Sequence, residues 1–100
     1  MDQKIAIVDD DIEMGRLVKE LLETEGYQVH LFSSAADALI HFKADIPHVL
    51  ITDHKMKNID GVMFLKKMQK DYPKVVTIMM TAFGSIETAI EAMKAGAYHY

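Results

Sequence analysis

Short apolar segments alternate along the chain with segments whose apolar residues recur at helical spacing. Three segments are near-continuous apolar runs, "KIAIV", "HVLIT" and "VVTIMMT", whereas "YQVHLF" alternates between apolar and polar residues. A continuous run is typical of a strand that is covered on both faces, and alternation suits a strand at a sheet edge. The pattern therefore predicts three central strands and one edge strand.

Four amphipathic stretches separate or follow these strands. Their apolar stripes are Met14, Leu17, Val18, Leu21 and Leu22; then Ala35, Ala38, Leu39 and Phe42; then Met63, Phe64 and Met68; and finally Ile86, Ala89, Ile90 and Met93. We expect Gly26 to end the first helix at its C′ position and Ser33 or Ser34 to cap the second. The closing "AYHY" predicts the start of a fifth strand. Alternation of strands and helices with short connections predicts an α/β fold, a doubly wound parallel sheet with helices on both faces.

Size and composition narrow the function classes. The chain has 100 residues, half of them hydrophobic, and a net charge of −4, which suits one domain with a packed core. No basic patch favours nucleic-acid binding by this segment, and the absence of cysteine excludes disulfides and thiolate metal sites. No apolar run approaches the ~18 residues of a membrane span. We therefore expect a cytoplasmic protein with no membrane partner.

Acidic residues follow two of the predicted central strands. Asp9 and Asp10 come directly after the first strand, Asp53 after the third, and the hydroxyl residue Thr81 after the fourth. Ligands of open parallel sheets bind at the carboxyl ends of the strands, so we expect these side chains to converge. Two carboxylates ~4 Å apart repel by roughly 4 kcal/mol at an effective dielectric constant of 20, and Mg²⁺ would relieve that repulsion. A carboxylate beside Mg²⁺ is suited to accept a phosphoryl group.

The ordinary interpretation of a single aspartate after a strand is a turn former or helix N-cap. Asp11 suits an N-cap and Asp60, before Gly61, suits a turn. The joint occurrence of an acid pair, a later aspartate and a threonine, all after strands, favours a site instead.

Four segments closely resemble the receiver domain of bacterial two-component response regulators. They are "IAIVDDD", "VLITDHKMKNIDG", "TIMMTAFGS" and "AMKAGAYHY", and they span nearly the whole chain. The resemblance implies a flavodoxin-like fold with strand order 2-1-3-4-5. It also implies that Asp53 accepts a phosphoryl group from a sensor histidine kinase. Asp9 and Asp10 match the residues that bind Mg²⁺, and Lys55 matches the position whose backbone carbonyl joins them.

The resemblance extends to the parts that transmit the signal. Thr81 matches the switch hydroxyl and Tyr100 the switch aromatic residue of the family. The string "TAFGSIETAIEAMKAGAYHY" is most similar to the NtrC class, whose receivers control sigma-54-dependent transcription activators. We therefore expect a signalling domain that acts on an output domain or on other receiver protomers.

Two departures from the family pattern carry expectations of their own. Lys57 stands where the family usually has proline. Lysine has the backbone N–H that proline lacks and leaves φ free, in the loop after Asp53. The family also expects a lysine beyond Tyr100, a cis-proline and a fifth helix, so residues 1–100 match a receiver truncated before the end of strand five. We accordingly expect weak or absent productive phosphorylation of this chain. Uncovered apolar surface leads us to expect a homodimer or a domain-swapped oligomer.

Two other classes of protein compete with this interpretation. An enzyme that uses Asp53 as nucleophile, a phosphatase or phosphotransferase, usually has a second aspartate two residues later, where this chain has Lys55. A flavodoxin-like cofactor module needs a Gly, Ser or Thr loop after strand one, where this chain has aspartates. A stand-alone receiver without DNA output stays open. The five histidines show no paired metal-ligand spacing, which favours surface or packing roles.

Overall fold

Strands and helices alternate throughout the part of the chain that the structure, a computed structural model, describes: residues 3–53 and 61–80. The elements are β1 (Lys4–Val8), α1 (Ile12–Thr24), β2 (Gln28–Phe32), α2 (Ala35–Phe42), β3 (Val49–Asp53), α3 (Gly61–Asp71) and β4 (Val76–Met80). The four strands pair in parallel in the order β2-β1-β3-β4. The predicted doubly wound fold is confirmed. The predicted fourth helix and fifth strand lie outside the described residues.

The strand register aligns the carboxyl ends of β1 and β3. Val8 pairs with Thr52 across these two strands, so the residues that follow, Asp9 and Asp53, stand side by side. The Asp9 N–H donates to the carbonyl oxygen of Phe32 at 3.0 Å, which continues the β1–β2 ladder by one residue. The backbone of Asp9 is therefore held against β2.

The two faces of the sheet carry separate hydrophobic clusters, as a strand's alternating side chains require. Toward α1 the buried residues are Ile5, Ile7, Val29 and Ile51, with Val18 and Leu22 of α1 packed against them. Toward α2 and α3 they are Ala6, Val8, Ala35, Ala38, Phe42, Leu50, Phe64, Met68 and Val75. Both internal strands, β1 and β3, contribute residues to each cluster, as strands covered on both faces should.

Both ends of α1 are capped as the sequence predicts. The Asp11 side chain accepts a hydrogen bond from the Met14 N–H at 3.1 Å, which makes Asp11 the N-cap. At the other end Gly26 has φ +95°, a left-handed conformation that disfavours other residues. The N–H groups of Gly26 and Tyr27 donate to the carbonyls of Glu23 and Leu22, the paired bonds of a Schellman motif. Ser34, one of two predicted caps, begins α2.

The sheet covers only part of the apolar stripe of α1. Met14, Leu17 and Leu21 are 46%, 53% and 62% exposed. The helix approaches β2 through Gly15, where an added Cβ would lie 2.6 Å from a Leu31 methyl carbon. No helix of the described ranges is long and apolar enough to cross a bilayer.

One residue of α3 was predicted on the wrong side. Met63 is 64% exposed, whereas Phe64 is 0% exposed and Leu65 and Met68 are buried with it. Successive helical residues are separated by ~100° around the axis, so a buried stripe through positions 64, 65 and 68 turns position 63 toward solvent. The prediction that Met63 points inward was wrong.

Neighbouring residues of α3 give a matched test of this core. Phe64→Ala should lower the free energy of unfolding by about 3–5 kcal/mol, since it removes a fully buried ring and leaves a cavity. Met63→Ala should change it by less than about 0.5 kcal/mol, because the side chain is mostly in solvent. Urea unfolding followed by circular dichroism measures both. Equal losses from the two substitutions would contradict the orientation of α3.

Candidate functional site

Three carboxylates meet at the carboxyl edge of the sheet. Asp9 and Asp10 follow β1, and Asp53 is the last residue of β3. One carboxylate oxygen of each residue lies within 4.8 Å of the corresponding atoms of the other two. The structure thus brings together the aspartates that the sequence singles out. Thr81, Lys55 and Tyr100 lie outside the described residues.

Pairing with neighbouring strands holds Asp9 and Asp53 in place. Asp53 is paired with Met80 in the β3–β4 ladder, and Asp9 is bound to β2 through its own N–H. Beneath them the fully buried Thr52 donates its hydroxyl to the Asp53 carbonyl oxygen at 3.3 Å. The positions of these carboxylates therefore follow from sheet pairing more than from the loops around them.

Asp9 is the most buried member of the cluster, with 3% of its surface exposed. Burial is the largest cause of its altered protonation and raises its pKa above the ordinary value. The neighbouring charges of Asp53, Asp11 and Asp10 raise that pKa further. A hydrogen bond from the Asp11 N–H to Asp9 Oδ1, at 2.9 Å, opposes the increase. The ionised cluster is thus electrostatically costly in the absence of a cation.

The donor set fits a hard divalent ion. All three groups offer carboxylate oxygens, which Mg²⁺ prefers, and two of the residues, Asp10 and Asp53, are partly open to water. Oxygens bound ~2.1 Å from one Mg²⁺ lie roughly 3–4.2 Å apart, so small side-chain adjustments suffice to bring these three around one ion. Asp9, Asp10 and Asp53 are therefore the residues that would hold Mg²⁺.

Sequence reasoning missed a second role of Asp11. Asp11 was predicted only as an N-cap, and it is one, but its backbone N–H also donates to Asp9. The turn formed by residues 9–11 therefore both begins α1 and orients the carboxylate of Asp9. The residue pattern contains no signal for it, because the bond depends on how the chain turns between Asp9 and Asp11.

Known protein sequences match this chain over almost all of its length. The family model described as "Response regulator receiver domain" matches residues 5–100. The transcriptional regulatory protein ZraR of Salmonella typhimurium is 38% identical over 96 residues, which cover 96% of this chain and 22% of that protein. The regulatory protein AtoC of Escherichia coli is 36% identical, with 97% and 21% covered. The chain thus spans about a fifth of the length of these relatives.

Solved structures share the fold. A CheY-like response regulator receiver domain protein from Methanospirillum hungatei superposes with a TM-score of 0.94 at 31% identity, over 100% of this chain and 80% of the other. The receiver domain of NtrX from Brucella abortus gives a TM-score of 0.90 at 30% identity, over 95% and 81%. The fold and the sequence thus lead to the same group of proteins.

Asp9→Asn should raise the free energy of unfolding at neutral pH in magnesium-free buffer. Since the pKa of Asp9 is raised above 3.8 in the folded protein, the folded state binds more protons than the unfolded state between the two pKa values. The stability that Asp9 contributes is present below 3.8 and is lost as pH rises through the folded pKa. The advantage of the variant should therefore grow across that interval and then stay constant. Urea unfolding at a series of pH values measures it.

Glu20→Gln is the matched control, because Glu20 is exposed on α1 and its replacement should change the free energy of unfolding little. Asparagine keeps an Oδ1 acceptor for the Asp11 N–H, so the turn should survive. Added Mg²⁺ should stabilise the wild-type chain more than Asp9→Asn. Identical unfolding curves for the wild type and Asp9→Asn at every pH would show that the buried carboxylate carries no electrostatic cost.

Proposed function

The chain belongs to the response regulator receiver domain family, and on that premise we propose that Asp53 is its phosphoacceptor. Asp9 and Asp10 hold Mg²⁺ beside it in this proposal, together with the backbone carbonyl of Lys55. The observation that carries the proposal is the convergence of three carboxylates at the end of β1 and β3. A like-charged cluster of this kind requires a cation or protonation, and a cation is also what phosphoryl transfer needs.

The phosphoryl donor is a phosphohistidine of a sensor histidine kinase. A carboxylate oxygen of Asp53 attacks phosphorus in line as the bond between phosphorus and the imidazole nitrogen breaks. The electron pair of that bond stays on the imidazole, which is the leaving group. Mg²⁺, when held there, would supply positive charge beside the phosphoryl oxygens. Asp9 and Asp10 would hold the ion, while pairing of Asp53 with Met80 fixes the end of β3. The proposal places this reaction in the cytoplasm, where kinases of this kind are loaded from ATP.

The response passes through Thr81 and Tyr100 in this proposal. Phosphorylation adds about −1.5 to −2 charges at Asp53. A hydrogen bond from the Thr81 hydroxyl to the phosphoryl group is worth ~1.5–3 kcal/mol, which shifts a two-state equilibrium roughly 10- to 100-fold. A change from 1:99 to 99:1 needs about 5.5 kcal/mol, so inward rotation of Tyr100 must add to it.

The output is control of sigma-54-dependent transcription. Similar proteins include transcriptional regulatory protein ZraR and the C4-dicarboxylate transport transcriptional regulatory protein DctD of Rhizobium meliloti, which support an output domain as partner. The net charge of −4 supports action without direct nucleic-acid contact by this segment. The exposed Met14, Leu17 and Leu21 of α1 support association with a second copy of the chain.

An enzymatic function is the weaker candidate. Turnover of a phosphoryl-aspartate by a phosphatase usually needs a general acid two residues after the nucleophile, and Lys55 at that position has no carboxyl group. The proposed role of Asp53 is therefore to store a phosphoryl group as a signal.

Beryllofluoride binding is the direct test of the acceptor. In the presence of Mg²⁺ the wild-type chain should give a bound-fluoride resonance in ¹⁹F NMR, because this anion takes the place of a phosphoryl group on a carboxylate. Asp53→Asn should abolish the resonance and keep the circular dichroism spectrum. The matched control is Asp37→Asn, an exposed aspartate of α2, which should bind as the wild type does. A bound resonance that persists in Asp53→Asn would refute the assignment.

Thr81→Ala separates acceptance from response. The variant should still bind beryllofluoride with Mg²⁺, since the acceptor and the acidic pair are intact. Backbone amide shifts in residues 82–100 should change less than in the wild type, because the bond that favours the switched state by ~1.5–3 kcal/mol is lost. Two-dimensional ¹H–¹⁵N NMR with and without beryllofluoride measures this. Unreduced shift changes in Thr81→Ala would exclude a switch role for the hydroxyl.

A further inference from the structure

A second group of metal-ligating side chains lies on the α2 face of the sheet, away from the acidic cluster. His30 comes from β2, His41 from α2, and Asp45 from the segment that follows α2. One donor atom of each lies within 4.8 Å of the other two. All three residues are half-buried, so the group is neither a core packing motif nor a fully solvated surface.

One donor atom of this group has no hydrogen-bond partner among the described residues. His41 Nε2 is buried and makes no hydrogen bond there. The nearest carboxylate oxygen, Asp45 Oδ2, is 3.6 Å away, too far for a good hydrogen bond. Two ligands of tetrahedral zinc, each ~2.05 Å from the metal, lie ~3.3 Å apart, so the observed spacing is close to that of two ligands of one ion.

A small cavity adjoins these side chains. A cavity of about 10 Å³ is lined by Lys4, His30, Phe32, His41 and Asp45, with Ala6 and others. A volume of ~10–15 Å³ holds about one water-sized particle. Ala6 pairs with His30 across β1 and β2, and its small side chain keeps the space beside the imidazole open.

We propose that His30, His41 and Asp45 bind a divalent transition-metal ion, with zinc the best match, independently of the proposed phosphoacceptor site. Two imidazole nitrogens and one carboxylate oxygen suit zinc, whereas Mg²⁺ prefers oxygen ligands alone. Water would complete a tetrahedral set. Because the ligands come from β2, α2 and the segment after it, a bound ion ties the end of α2 to the edge strand.

Lys4 limits the affinity of this site. Its Nζ lies 2.6 Å from Asp45 Oδ1, so it occupies one carboxylate oxygen and leaves Oδ2 facing His41. The same bond is the main reason why the pKa of Asp45 is lowered, and it keeps this ligand ionised. The ammonium charge nevertheless repels a metal ion. Removing the Lys4 ammonium group should therefore strengthen zinc binding. If His41 and Asp45 formed only an ion pair with each other, removing Lys4 would not create affinity for zinc.

Calorimetric titration of the full 100-residue chain with zinc chloride tests the proposal, in excess Mg²⁺ to occupy the acidic cluster. The wild type should bind one zinc ion. His41→Gln and His30→Gln should each weaken zinc binding by at least roughly 10- to 100-fold. That is the loss typical for residues that only support a metal ligand, and a direct ligand should matter at least as much. Lys4→Met should tighten binding about 10-fold, the order expected for one unit charge near the ion. Ring-proton NMR resonances of His30 and His41 should shift on zinc addition.

Two controls separate this site from other zinc ligands. His48→Gln removes an exposed histidine outside the group, and glutamine keeps an acceptor for the Lys4 backbone N–H that His48 Nδ1 binds at 2.9 Å, so this variant should bind zinc like the wild type. Asp53→Asn removes a carboxylate of the acidic cluster and should also leave zinc affinity unchanged. No zinc binding by the wild type, equal affinity in the wild type and His41→Gln, or unchanged affinity in Lys4→Met would each overturn the proposal.

Discussion

Repulsion among Asp9, Asp10 and Asp53 is the constraint around which this molecule is arranged. Three carboxylates whose oxygens lie within 4.8 Å of one another do not stay together unless the backbone holds them there. The backbone does so through parallel pairing of β1 with both β2 and β3, which leaves Asp9 and Asp53 no freedom to separate without breaking ladder bonds. The stability of the hydrophobic core thus maintains a cluster that is unfavourable by itself and ready for a cation.

Much of this arrangement was predictable because it depends on local patterns and a general rule. The continuous apolar runs indicate buried parallel strands. Ligands of open parallel sheets bind at the carboxyl ends of the strands, and the aspartates follow those ends. The caps of α1 at Asp11 and Gly26 were predictable for the same reason, since caps depend on a few adjacent residues. These features require no knowledge of which side chain packs against which.

Features that depend on tertiary packing escaped prediction. Met63 and Phe64 are adjacent apolar residues, and only the direction in which α3 lies on the sheet decides which is buried. The stripe of α1 likewise includes Leu17 and Leu21, which the sheet does not reach. The histidine group is the extreme case: His30 and His41 are eleven positions apart on different elements and match no ligand motif, yet α2 packs them together.

The two polar groups are electrostatically almost separate, although β1 connects them. Lys4 begins the strand beside Asp45, and Asp9 follows its end. Five residues at ~3.3 Å each span roughly 16 Å, about twice the ~8 Å screening length at physiological ionic strength. A charge bound at one end therefore has little direct influence at the other, so any influence of zinc on Asp53 must pass through β1 or α2 as a change in packing. Discrimination between the ions then rests on donor chemistry, with oxygen ligands at one end of the strand and imidazoles at the other.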